Sequence, residues 1–212
     1  MCPLCLSKDL VVVLKSERKN LERIYKRCLN CQLLSVPKEF HLWPVEQKKR
    51  YLEHHNNVDD LDYRNFLLPL KQAVTPHIKF NSYGIDFGAG HGPALAKMFS
   101  DDGFHMALYD IYFHKDRSVL AHSYDFVVAS ETVEHFESPG MEFELIDNLL
   151  SKGGVLGVMT SIFYESIDLE KWYYRMDPTH VSFYSPETME WIAEKHNWKF
   201  HSPTENIYIF QK

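Results

Sequence analysis

An α/β fold with a mostly parallel sheet, carrying a small cysteine-bound ribbon at its amino end, is the class this sequence predicts. Three observations predict it. From residue 80 onward strand-like and helix-like stretches alternate with short glycine-marked joints, the pattern of a parallel sheet covered by helices. The run "GIDFGAGHGP" at 84–93 follows the first of those strands, at the end of the sheet where such folds hold ligands. All four cysteines fall within the first 31 residues.

A chain of 212 residues with 45% apolar content buries one full core plus a small appendage. The expected division is a ribbon at 1–40, a helical connecting segment at 41–79 and a ligand-binding domain at 80–212. No apolar run approaches the roughly 18 residues of a membrane span, and the start "MCPLCLSKDLVVVLK" lacks a basic leader. The expectation is a cytoplasmic protein with no membrane partner. Residues 1–40 hold eight Lys and Arg against four Asp and Glu, and the remainder holds 15 against 25. The larger part, net −10, should therefore repel phosphate backbones.

The ribbon rests on "CPLC" (Cys2, Cys5) and "CLNC" (Cys28, Cys31), two C-x2-C knuckles separated by 22 residues. Two such turns converge four thiolates tetrahedrally on zinc. Between them "LVVVLKSE" and "NLERIYKRC" read as a hairpin. Four thiolates leave no open position, so the expected zinc is structural, and chelation is expected to unfold residues 1–40 while leaving ligand binding by the rest largely intact. In the connecting segment, punctuated by Pro44 and Pro69, two or three short helices are expected. Its cluster of Leu52, His54, His55, Asp59 and Asp60 reads as a solvated helix end, because these residues are sequential rather than on one helix face.

In the third region, strands are expected around "KFNSYGIDFG", "FHMALYD", "YDFVVAS" and "VLGVMTSIF". Helices are expected from Pro93 to Gly103 and from Pro139 to Gly153. The glycine turn lacks the Lys-Ser/Thr pair of a triphosphate loop. A dinucleotide turn needs a third glycine where Pro93 stands. What remains is Gly88, Gly90 and Gly92 preceded by Asp86, with missing Cβ atoms that permit a ligand to approach. Asp110, at the end of the next strand and 22 positions after Gly88, is placed to accept both hydroxyls of a ribose. S-adenosylmethionine combines such a diol with a carboxylate and a sulfonium.

"GIDFGAGHGP", "LYDIYF", "YDFVVASETVEHFESP" and "LLSKGGVLGVMT", in this order and spacing, resemble the motif series of class I S-adenosylmethionine-dependent methyltransferases. "HVSFYSPETMEWIAEKHNWKF" resembles the segment that follows in their small-molecule branch. The resemblance spans about residues 80 to 200 and implies a Rossmann-like methyltransferase fold. It also implies that Asp86, Gly88, Ala89 and Gly90 line methionine and ribose, that Asp110 holds the ribose diol, and that Ser130 and Glu131 lie beside the sulfonium. Only 13 residues separate Asp110 from Tyr124, where the family usually fits a helix, a strand and an acidic turn. Ile111 and Tyr112 are therefore expected to shield adenine, Ser118 to Leu120 to form a vestigial strand, and Asp116 to be an adenine contact.

Methyl transfer needs alignment first, and a base only where the nucleophile carries a proton of high pKa. His135 is a candidate, facing either the pocket or the next helix. Glu134 reads as a helix-start acid. In "WYYRMDPTHVSFYSPE", His180 is the expected base or substrate-orienting group with Asp177 setting its tautomer, against an ordinary turn with a packed histidine. Ser185 is the expected cap of the last helix. The reading is thus a methyltransferase for a small-molecule substrate, with S-adenosylmethionine and structural zinc. The second-ranked partner is RNA, because some ribosomal-RNA guanine methyltransferases resemble this chain in a "CPLC"-type ribbon; Lys8, Lys15, Arg18, Lys19, Arg23, Lys26 and Arg27 would supply the basic face. A third reading is a catalytically inactive cofactor-binding protein.

Overall fold

The structure is a computed structural model that describes residues 1–19, 21–53 and 56–212. His54 and His55, from the cluster read above as a solvated helix end, lie outside the described residues.

The N-terminal sheet begins with the expected hairpin: β1 (Leu10–Ser16) pairs antiparallel with β2 (Arg23–Cys28), from Leu10 opposite Cys28 to Ser16 opposite Arg23. Alternate side chains of β2, Arg23 and Tyr25, are buried, as the two-residue period of a strand requires. β3 (Leu34–Ser35) adds to β2. A connecting segment follows, with α1 (Pro44–Tyr51) and α2 (Leu61–Val74). Asp60 caps α2 by accepting from the amides of Asp62 and Tyr63, and Leu67, Leu70 and Val74 form its buried face. Pro69, expected to punctuate the chain, lies inside α2. Burial of that apolar face against the sheet outweighs the single amide that proline withholds.

The main sheet is then built from β4 (Tyr83–Phe87), α3 (Ala94–Asp101), β5 (His105–Tyr109), β6 (Tyr124–Ser130), α4 (Pro139–Leu149) and β7 (Leu150–Met159). Next come β8 (Ser182–Phe183), α5 (Pro186–His196), β9 (Lys199–Thr204) and β10 (Ile207–Gln211). The strand order is β5-β4-β6-β7-β10-β9. The first three pairings are parallel, and β10 runs antiparallel to both neighbours. Phe126 to Ala129 of β6 are fully buried, as a strand covered on both faces demands. The expected vestigial strand at Ser118 to Leu120 is instead a 3-10 turn over Arg117–Ala121, because the Asp116 carboxylate accepts from the Ser118 amide and closes the chain locally.

One face of the sheet packs Leu67, Leu70, Leu95 and Phe99 against Phe126, Val128 and Ile209. The other packs Ile85, Phe143, Ile146, Met189 and Ile192 together with Cys2, Leu4, Cys28, Cys31 and Leu33. The cysteine knuckles therefore share the core of the large domain. β8 also pairs with β3, so the N-terminal sheet takes its fourth strand from residues 182–183, and the Gly140 amide at the start of α4 donates to the Pro3 carbonyl at 3.2 Å. No helix among the described residues is long and apolar enough to cross a membrane.

Candidate functional site

Cys2, Cys5, Cys28 and Cys31 bring their sulfurs within 4.8 Å of one another. The cross-knuckle pairs Cys2 to Cys31 and Cys5 to Cys28 are each 3.5 Å apart, and all four thiols are free. Four sulfurs bound tetrahedrally at ~2.3 Å stand about 3.8 Å apart, so the donor set and its spacing fit a tetrahedral metal ion.

At the glycine turn, Gly88 and Gly90 have φ of +87° and +61°, values that favour glycine. The three glycines differ in what fills their missing Cβ. At Gly88 a Cβ would stand 2.2 Å from the Thr132 methyl, and at Gly92 1.5 Å from the Asn56 carbonyl oxygen. At Gly90 the nearest atom is 4.0 Å away. The close approach expected of a ligand is thus confined to Gly90, and the other two admit protein. The amides of Gly88 and Ala89 are held by the Tyr109 carbonyl. Asp110 clamps the turn: its Oδ2 accepts from Gly90 at 3.0 Å, and its Oδ1 from the amides of Tyr112 and Phe113 at 2.7 and 2.9 Å. Those two amides fill the lone pairs of Oδ1, so Oδ2, with one bond, is the oxygen that retains acceptor capacity toward a hydroxyl.

The cleft beside the turn is lined by Tyr63 and Leu67 of α2, Asp86, Gly88, Ala89, Pro93 and Ser130. Asp86 is only 4% exposed; burial lifts its carboxyl to about 7, against the pull of the Ala96 amide. Ile111 is 61% exposed beyond β5. Tyr112 donates to Gln47 at 3.0 Å and packs on Tyr51. Asp116 spends its carboxylate on the Ser118 cap. A second surface cleft, between Arg27, Tyr164 and Glu187, shares no residue with the glycine turn. The turn is the better ligand site because its charged and backbone groups converge.

Beyond β6 the backbone at Glu131 adopts φ +46°, a left-handed conformation that costs a non-glycine residue on the order of 1 kcal/mol and clusters at functional sites. The Tyr174 hydroxyl donates to Glu131 at 3.2 Å and lies 3.0 Å from the Thr160 hydroxyl, which donates to Glu134 at 2.9 Å. Burial raises Glu131 and Glu134 to about 7. Glu134 does stand at a helix start, in the first turn of the short 3-10 helix Val133–His135, and it is fully buried there, beneath residues 174–181.

His180 is buried, and its Nδ1 donates to the Tyr174 carbonyl at 2.7 Å. That bond, rather than Asp177, sets the tautomer, since a carbonyl can only accept. Asp177 Oδ1 accepts from the Thr179 amide and hydroxyl, and its Oδ2 pairs with Arg50 of α1 at 3.0 Å. Burial alone would raise this carboxyl, but the Thr179 bonds and the Arg50 guanidinium bring it to about 2. Burial, followed by the neighbouring His135, lowers His180 to about 3, so its imidazole is neutral. His135 packs on neither the next helix nor the glycine-turn cleft among the described contacts: its ring meets His180 edge-on at 4.7 Å and Tyr51 of α1 at 5.1 Å.

Sequence reasoning passed over Tyr63, Asn56, Tyr174 and Arg50, whose places depend on how distant elements meet. It also read Arg23 as part of a basic face. Arg23 is 3% exposed and donates to the carbonyls of Arg175, Asp177 and Pro178. Arg27 pairs with Glu165 at 2.6 Å.

Comparison with known proteins fits this geometry. The profile of the methyltransferase domain family matches residues 41–202. A search of curated proteins returns no significant match. Among solved structures, the chain is similar to 1,6-didemethyltoxoflavin-N1-methyltransferase from Burkholderia thailandensis, solved with its substrate and S-adenosylhomocysteine. That pair shares 12% identity over 87% of this chain and 97% of the other, with a TM-score of 0.57. An S-adenosylmethionine-dependent methyltransferase from Archaeoglobus fulgidus is 18% identical over 70% of this chain and 94% of its own, with a TM-score of 0.53. At these identities the likeness shows a shared fold.

Proposed function

This chain belongs to the methyltransferase domain family, and from that premise we propose that it moves a methyl group from S-adenosylmethionine to a small-molecule acceptor. The observation that carries the reading is the Asp110 carboxylate, bonded to the Gly90 amide at 3.0 Å, the one glycine of the turn whose Cβ direction is open. It supplies a diol acceptor next to a backbone that a nucleoside can approach. Asp86, Gly88, Ala89 and Ser130 would line the amino-acid end, Glu131 would face the sulfonium, and exposed Ile111 would cover adenine.

Transfer is an in-line displacement in which the S–CH3 electron pair stays on sulfur as the acceptor's lone pair takes the methyl carbon. The chain's own contribution is alignment. His180 and His135 would orient the acceptor. A neutral imidazole whose protonated form is disfavoured accepts a hydrogen bond but stores a proton poorly, which favours orientation over a base role for His180. The four cysteines would hold a structural zinc with no open position, and zinc there would fasten the knuckles to the core.

Support for a small acceptor over RNA comes from two residues of the basic face, Arg23 and Arg27, being engaged within the protein. The test is calorimetry with S-adenosylmethionine and its demethylated product, followed by a radiolabelled methyl screen over metabolite and RNA pools. Cofactor binding with label entering the metabolite pool is expected. Label confined to RNA overturns the acceptor class, and cofactor binding without any transfer favours the inactive reading.

A further inference from the structure

Glu134, His135 and His180 meet in a way that a set of merely packed polar residues would not. Each offers one ligand atom, and the three atoms lie within 4.8 Å of one another. The Glu134 side chain has 0% exposure, and its Oε1 has no hydrogen-bond partner among the described residues, although its Oε2 is satisfied by Thr160. An orphaned carboxylate oxygen in the interior is costly unless something charged or hydrogen-bonding meets it. The nearest cationic candidate, His135 Nε2, is 3.9 Å away, too far for a hydrogen bond.

The two imidazoles are tied from behind in the same manner. His180 Nδ1 donates to the Tyr174 carbonyl at 2.7 Å and His135 Nδ1 to the Thr179 carbonyl at 3.2 Å. Backbone carbonyls only accept, so each ring carries a proton on Nδ1, and in the neutral tautomer that this bond selects Nε2 is the nitrogen with the lone pair. This is how histidines that bind metals are oriented: the outer nitrogen donates to a carbonyl or carboxylate and the inner one is left to coordinate. The rings meet edge-on with their centroids 4.7 Å apart, and His135 Nε2 lies 3.9 Å from the orphaned Glu134 oxygen.

We propose that Glu134 Oε1, His135 Nε2 and His180 Nε2 form a second metal site, separate from the four cysteines, for a divalent first-row transition ion. Two imidazoles and one carboxylate suit Mn2+, Fe2+, Co2+ or Zn2+ and not the thiolate-preferring ions. Ligands of one ion at bonds of ~2.1 Å stand about 3–4 Å apart, so small side-chain rotations close the cluster. Of the three side chains His135 is the most exposed, and three protein ligands would leave coordination positions unfilled. An acceptor with an anionic oxygen would occupy them. That last extension rests on the methyl-transfer reading, whereas ion binding does not.

The probe is Mn2+, which an all-cysteine site disfavours, titrated into the full chain and followed by electron paramagnetic resonance. The wild type is expected to bind one Mn2+ per chain, and Glu134→Gln, His135→Gln and His180→Gln each to weaken it at least tenfold. Far-ultraviolet circular dichroism and S-adenosylmethionine calorimetry on each variant report whether the fold persists. The unaltered chain decides without the variants: absence of a Mn2+ site, with Co2+ or Zn2+ also filling nothing beyond the cysteines, overturns the proposal. So does Mn2+ binding that all three folded variants retain. Failure of methyl transfer with Mn2+ still bound would count against the acceptor reading alone.

Discussion

At the scale of single residues, two carboxylates beside the glycine turn have opposite work and should respond differently to change. Asp110 is tied to three backbone amides and, in the proposed reading, to a ribose as well. Asp110→Ala should weaken S-adenosylmethionine binding about 10- to 100-fold, or roughly 1.4–2.7 kcal/mol, measured by calorimetry; an unchanged affinity would show that the ribose lies elsewhere. Asp86 is different, because burial holds its carboxyl at about 7 against an ordinary 3.8. Between those values the folded protein binds a proton that the unfolded chain has released. Its stabilising contribution is therefore full below about pH 4 and lost as the pH rises through 7. In the cofactor-free protein, Asp86→Asn should match the wild type near pH 4 and exceed it at pH 8 by about 1–4 kcal/mol, the upper bound being the shift converted at ~1.36 kcal/mol per unit. Urea midpoints across that range check the sign, and a variant less stable at pH 8 refutes it.

Elements explain why some of this was legible in the sequence and some was not. The strands and helices of the main sheet were readable because their periods differ and their joints carry glycine or proline; Ser185 is the cap it was read to be, accepting from the Thr188 amide. Asp110 was readable because a strand ending in an acid after a glycine turn is a local pattern. By contrast, β8 has only two residues, too few to show a period, so the pairing that joins β3 to the segment carrying His180 was invisible. The same gap concealed Arg23, which reads as a solvated charge until the hairpin is laid against residues 175–178. The burial of Glu134 was hidden for the same reason: it comes from what folds over it. Arg23→Met tests the connection, since it keeps much of the apolar stem and removes the donors. Hydrogen exchange at amides 173–181 should accelerate, and methyl transfer should fall about tenfold or more while cofactor affinity stays within about twofold, given that breaking charge-assisted bonds to carbonyls costs roughly 1.5–3 kcal/mol. Unaltered exchange there would mean the loop holds itself.

For the whole molecule, the position of the knuckles changes what metal removal should do. A ribbon that merely precedes a domain would unfold by itself on chelation, which is what the two C-x2-C turns alone suggest. Here Cys2, Cys28 and Cys31 are packed in the cluster that contains Ile85, Phe143 and Ile192, and β3 is bonded to β8. Small structural-metal units owe their folding to the ion, and a shared core passes that dependence to its neighbours. Removing the proposed zinc from the cysteines should consequently lower the denaturation midpoints of both regions together. Hydrogen exchange within β1 and β2 would report one region and S-adenosylmethionine binding at each denaturant concentration the other. The two curves should coincide before chelation and move to lower denaturant in step after it, with cofactor binding weakened even where the main sheet survives, because β8 leads directly from the segment bearing His180. Should β1 and β2 lose protection while the cofactor curve stays in place, the shared core would contribute little, and the knuckles would be a separable unit resting on the domain.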